Sequence, residues 1–243
     1  VADTALADGL IITNMVEAVD SDAPGANQSI SQELVQLRYT RPVLNISNGV
    51  IDVSEEKAYE PKPLFGPITT PVQIVSGDEP SQRWDDIYDH DVAGLDAGDV
   101  VTYLVIVENS GRGKDGAFDI RLRENLPPEL EGMVVAGSLR AFTGDGKVRN
   151  LPLSQTESEA ALFGAEGLLF EGHVLRRGIE ENGDVNGDGD NILYLTYDVV
   201  LPPNSESGAT YVITSEVVGY TAYEGGAQMT SSGLITDDVE VSV

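Results

Sequence analysis

The sequence predicts an all-β, antiparallel β-sandwich, and three observations predict it. Short apolar or alternating runs recur about every ten residues. Glycine (26) and proline (12) punctuate them throughout. Only one stretch has the character of a helix. At 243 residues with 41% hydrophobic content the chain can bury a real core, and with 6% aromatics that core is mostly aliphatic.

The clearest pair of strands spans 97–128. Val100–Val107 is apolar on both faces, as a central strand covered above and below would be. Phe118, Ile120 and Leu122 alternate with Asp119, Arg121 and Arg123, giving one dry and one wet face. Upstream, Leu10–Val19 and Leu34–Tyr39 read as strands, and Val43–Val53 as a strand with a turn or bulge at Asn48-Gly49. Residues 54–98 are irregular: five prolines there leave room only for a short edge strand at Val72–Val75. Downstream, Gly137–Phe142 and Lys147–Leu153 flank Thr-Gly-Asp-Gly, a hairpin signal. Ser154–Ala165 is the helix, with Ser154 as cap, Glu157 three residues on and Gly164 as its stop. Leu168–Leu175, Ile192–Leu201, Tyr211–Val218 and the alternating Val239, Val241 and Val243 complete the strands.

The net charge of −27 and pI near 4.1 argue against nucleic acid and anionic membrane surfaces as partners. Such a surface attracts divalent cations. Cysteine is absent, so disulfides do not staple the fold and a metal ion is the expected substitute. No apolar run is long enough to span a bilayer as a helix. The chain begins at Val1 with no basic n-region, as after leader removal or excision from a longer chain.

Ala97-Gly-Asp-Val-Val-Thr-Tyr, Val107-Glu-Asn-Ser-Gly, Leu122-Arg-Glu-Asn-Leu-Pro and Leu201-Pro-Pro-Asn-Ser-Glu-Ser-Gly-Ala-Thr-Tyr stand in an order of their own. That order resembles the conserved-repeat domain of unknown function that occurs in tandem in bacterial and archaeal cell-surface proteins. The resemblance covers about residues 42–243, with inserts at 54–95 and 150–190. It implies an immunoglobulin-like sandwich, an extracellular location, a structural or adhesive role and no catalytic residues. It also makes residues 1–41 resemble the tail of a preceding repeat. Two orphan apolar strands need an edge to pair with. Either they extend their own sandwich, or they act as donor strands that complete another copy and build a homo-oligomer or filament, or the chain is cut from a longer one.

Asp184-Val-Asn-Gly-Asp-Gly-Asp fits the opening half of an EF-hand-type calcium loop. Asp184, Asn186 and Asp188 hold the alternating ligand positions and Gly189 the turn. The closing bidentate Glu is absent, since position 195 is Leu. Asp190, Glu180 or Glu181 are the candidates to supply what is missing. The loop resembles those of dockerin-like and thrombospondin-like proteins, with Ca2+ as the expected ion and a solvated Asn/Asp/Gly turn as the alternative. Asp85, Asp86, Asp89 and Asp91, around His90, form a second candidate cation cluster or a solvated acidic loop. If Val100–Val107 and Ile192–Leu201 are antiparallel neighbours, the 109–116 loop sits near the calcium loop and Trp84–Asp91 at the far end. Gly111-Arg-Gly-Lys-Asp-Gly116 matches a dinucleotide fingerprint but precedes a strand instead of a helix, so it reads as an inter-strand loop. With two histidines and no cysteine, nucleophilic triads are disfavoured. Lys57 is the best-placed lysine for an isopeptide crosslink, against its acidic flanks. The reading is a non-enzymatic, calcium-stabilised surface subunit, with an adhesin-type module for glycan or protein ligands as the alternative.

Overall fold

The computed structural model describes residues 8–20, 29–54, 91–184, 186, 188–229 and 235–243. The strands, in chain order, are β1 (Ile11–Asp20), β2 (Ser29–Arg38), β3 (Leu44–Ser54), β4 (Val92–Ala93), β5 (Val100–Asn109) and β6 (Ala117–Asn125). They continue as β7 (Arg140–Thr143), β8 (Val148–Arg149), β9 (Leu168–Leu175), β10 (Ile192–Val200), β11 (Thr210–Thr221), β12 (Gln228–Met229) and β13 (Ile235–Ser242). Helix α1 is Gln155–Leu162. One sheet runs β3-β5-β10-β7-β8, the other β4-β13-β11-β6-β9 with β12 on β11. Together they form an immunoglobulin-like β-sandwich, antiparallel except where the two-residue β4 joins β13.

β5 and β10 are antiparallel neighbours, with Tyr103 opposite Tyr197. Val101, Tyr103, Val105 and Val107 point into the core, as do Leu193, Leu195, Tyr197 and Val199. The opposite face of the same strands is also dry: Leu104, Ile106, Ile192 and Tyr194 gather with Phe142 into a second cluster. This is why Val100–Val107 is apolar in both phases. β3 is one continuous strand through Asn48-Gly49, and its ladder slips instead between Val50 and Asp52. The hairpin over Thr143-Gly-Asp-Gly-Lys147 forms, though its strands are short. α1 starts as the sequence predicts: the Glu157 carboxylate accepts from the Ser154 backbone N–H at 3.3 Å and its hydroxyl at 2.6 Å.

Two results differ from the sequence reading. β1 and β2 add to neither sandwich sheet; they pair with each other, from Ile11 opposite Arg38 to Asp20 opposite Ser29. Closing a short connection between adjacent strands costs less entropy than recruiting a distant edge. Phe118 leaves the core while Ile120 and Leu122 stay in it. Asp119 sits at φ +49 and the β6 ladder slips on both sides of Phe118, so the alternation loses phase there. Val72–Val75, Lys57, Trp84 and His90 lie outside the described residues.

A fully buried polar link joins the two sheets. Glu124 on β6, 1% exposed, accepts from the Tyr197 hydroxyl of the opposite sheet at 3.0 Å and the Ser215 hydroxyl at 2.9 Å. Tyr197 stacks on Tyr103 at 5.4 Å and takes the edge of Phe163 at 5.1 Å. Burial pushes the Glu124 carboxyl up to about 8, against those two hydrogen bonds. Glu108, likewise buried, is also pushed up to about 8. Both bind a proton in the folded chain at pH values where the unfolded chain has released it. Their contribution is therefore complete below the ordinary value of 4.5 and is lost as pH rises through about 8. Thermal melts across that window should show the Glu124→Gln variant losing less stability with rising pH than the parent; parallel curves would contradict a buried neutral carboxyl.

Candidate functional site

Among the described residues, most of the exposed large apolar side chains belong to the ribbon. On one face the register places Leu10, Ile12, Val16, Val35, Leu37 and Tyr39. Ile11, Met15 and Leu34 lie on the other face among Thr13, Gln32, Gln36 and Arg38. Leu34 is 60% exposed and Leu37 64%. Neither β1 nor β2 contains proline, so both outer edges can offer their N–H and C=O groups to another strand.

The root of the ribbon is fastened to the sandwich. The Asp8 carboxylate accepts from the Arg41 N–H at 2.8 Å and the Arg112 N–H at 3.1 Å. The carboxamide of Asn109, fully buried, accepts from the Val43 and Gly111 N–H groups at 3.0 Å each and donates to the Arg176 carbonyl at 2.7 Å. A Cβ on Gly111 would lie 2.3 Å from the Arg41 carbonyl oxygen, and one on Gly113 2.7 Å from the Pro42 nitrogen. The Gly-x-Gly-x-x-Gly spacing thus reflects close packing of backbone on backbone.

The aspartate loop lies at this same end, as the antiparallel pairing of β5 with β10 requires: the Asn109 N–H bonds the Asn191 carbonyl at 2.9 Å. Its predicted ligands are brought together in part. Asn186 donates to Asp190 at 2.7 Å, and its own carbonyl accepts from the Asp188 N–H at 3.0 Å. Asp190 is ion-paired to Arg176 at 3.1 Å. Asp184 accepts from the Asn182 amide at 2.6 Å, and Glu181 and Glu180 both face Arg177. Among the described residues no three or more His, Cys, Asp or Glu are grouped as a metal site. Gly189 takes the turn at φ +77. Asp85, Asp86 and Asp89 of the second cluster lie outside the described residues. Asp91 sits at the opposite end and accepts from the Glu240 N–H at 2.7 Å.

Sequence reasoning missed Asp8, Asn109 and Asp119. Each is a single polar residue that ties together segments distant in sequence, so no local pattern announces it. Asp119 holds three segments: its carboxylate accepts from the Gly172 N–H (2.8 Å), the Gly225 N–H (3.1 Å) and the Thr221 hydroxyl (3.2 Å). The Gly172 N–H in particular holds this carboxyl below the usual carboxylate range.

No family model and no curated protein matches the sequence. Solved structures of similar shape include the major pilin subunit BcpA of Bacillus cereus, at 9% identity and TM-score 0.42, over 95% of this chain and 55% of that one. The pilus backbone RrgB of Streptococcus pneumoniae aligns at 12% identity and TM-score 0.39, over 76% and 55%. A family 123 glycoside hydrolase from Clostridium perfringens aligns at 9% identity and TM-score 0.35, over 83% and 27%. The chain thus spans about half of each of the two pilins and about a quarter of the hydrolase. The fold class rests on the strand pairing of the chain itself.

Replacing Asn109 by Ala strips the partners from two N–H groups and a carbonyl at the ribbon root. The expected loss of unfolding free energy is about 2–4 kcal/mol, measured by denaturant titration; a loss within error would remove Asn109 from that role.

Proposed function

We propose that the chain is a non-enzymatic, extracellular structural subunit that associates with further copies of itself by strand addition. The observation that carries this reading is the β1–β2 ribbon. A two-stranded ribbon is marginal in water by itself, and this one keeps a row of large apolar side chains exposed on one face. Such a face, with two open edges, gains stability when another sheet covers or extends it. In this reading residues 1–41 are the donor segment and 42–243 the accepting domain. Among the described residues no helix is long and apolar enough to cross a membrane.

A net charge of −27 per copy opposes association. The ribbon carries few charges: by sequence its two strands hold only Glu17, Asp20, Glu33 and Arg38. Contacts made through it bring apolar groups together first, while the acidic surfaces stay hydrated and screened by salt over about 8–10 Å.

For the 184–190 loop we propose Ca2+, on the strength of its Asp-x-Asn-x-Asp-Gly donor order. Asp190 is already answered by Arg176 and Asn186, Asp184 by Asn182, and Glu180 and Glu181 by Arg177, so an ion would compete with those pairs. The Asp188→Ala variant should melt lower than the parent in calcium and close to it in chelator; equal differences in both would dismiss the ion.

Assembly is tested by sedimentation and negative-stain imaging of the intact chain against the double variant Val35→Pro/Leu37→Asp. The parent should form concentration-dependent oligomers and the variant should remain monomeric with an unchanged melting curve for the sandwich. A monomeric parent at high concentration in calcium and salt would refute the proposal.

A further inference from the structure

In a chain with only 14 lysines and arginines, three of them line one open pocket of about 640 Å³. Lys114, Arg176 and Arg177 share it with Phe118, His173 and Tyr223. The walls come from separate segments: the β5–β6 loop with the start of β6, the end of β9 with the turn that follows, and the loop after β11. Phe118 and His173 lie 5.0 Å apart, tilted at 54°. Tyr223 is 60% exposed.

These walls are held in place at a cost. Asp119 is the one non-glycine among the described residues at positive φ, a strained conformation that persists only where surrounding contacts enforce it. Its carboxylate binds the backbone of the β9 segment at Gly172 and of the β11–β12 loop at Gly225, next to Phe118 itself. The same bulge that removes Phe118 from the core turns it toward the pocket. Three segments and one displaced aromatic are thus fixed around a space before anything enters it.

The charges are not equally committed. Arg176 is paired with Asp190 at 3.1 Å, and Arg177 with Glu180 at 2.7 Å and Glu181 at 3.4 Å. Lys114 is exposed and has no ion-pair partner among the described residues. Asp115, Glu180 and Glu224 complete the rim as hydrogen-bond acceptors. The site therefore offers one uncommitted ammonium, several acceptors suited to hydroxyl donors, and aromatic faces suited to a ring with an apolar side. We propose that this pocket binds a carboxylated saccharide, a uronic acid residue of an acidic glycan, with its carboxylate on Lys114 and its ring against Tyr223 and Phe118. A phosphorylated ligand would bring a second negative charge against three carboxylates. An acidic peptide would bring carboxylates but no hydroxyls for the acceptors of the rim and no ring with an apolar face. The proposal is independent of assembly, since a monomer carries the same pocket.

The test is calorimetric titration of the intact chain with trigalacturonate, with maltotriose and a pentaglutamate peptide as comparisons. Trigalacturonate should bind, and Lys114→Gln and Tyr223→Ala should each weaken it by about tenfold, with melting temperatures unchanged because both side chains are exposed. Maltotriose should bind at least tenfold more weakly. No binding of trigalacturonate at millimolar concentration overturns the proposal. So does binding that both variants leave intact, and so does pentaglutamate binding as tightly as the saccharide.

Discussion

The structure depends on one strand that is dry on both faces. β5 pairs with β3 on one side and β10 on the other, and turns Val101, Tyr103, Val105 and Val107 into the sandwich. Its other face, Leu104 and Ile106, makes the small second cluster with β7 and β10. Because both faces are apolar, a one-residue slip of β5 would not be penalised strongly by burial. Register comes instead from polar groups: Asn109 at its end, locked to Val43, Gly111 and Arg176, and the tyrosine stack of Tyr103 on Tyr197. The core supplies cohesion and the polar groups supply position.

The same division explains what could be read from the sequence. A strand whose apolar residues alternate, such as β13, falls where its periodicity puts it. The helix is announced by Ser154 and Glu157, because a capping box is a local interaction. Glu124 is not readable: within Leu-Arg-Glu-Asn-Leu-Pro it looks like surface, and only the opposing sheet's Tyr197 makes it interior. The ribbon is a subtler case. Two exposed apolar strands and two strands seeking a sandwich edge have the same sequence signature, and the choice is made by which closure is shorter. The glycines at 111, 113 and 116 misdirect for a similar reason, since the backbone segments that press on them, Arg41-Pro42 and Leu175, are remote in sequence.

Charge is distributed with a comparable logic. Among the described residues the buried carboxylates are Glu108, Glu124, Asp198 and Glu216, which stand beside amide, hydroxyl or, for Glu216, guanidinium donors. Arg176 and Arg177 link the aspartate-rich loop to the pocket wall, each shared between a carboxylate and a structural position. Whatever occupies either the loop or the pocket therefore acts on the same two guanidinium groups, and the two neighbourhoods are electrostatically joined.

The fastening of the ribbon has a mechanical meaning. Tension on β1 or β2 enters the sandwich through Arg41-Pro42 and continues along β3, which is bonded to β5 from Leu44 opposite Asn109 to Ser54 opposite Val100. A pull along that axis loads the whole ladder in shear, so its bonds must fail together instead of peeling one by one. Asn109 stands where the load arrives, and a chain of such units joined through their ribbons would behave as a cable whose weakest link is the grip between neighbours.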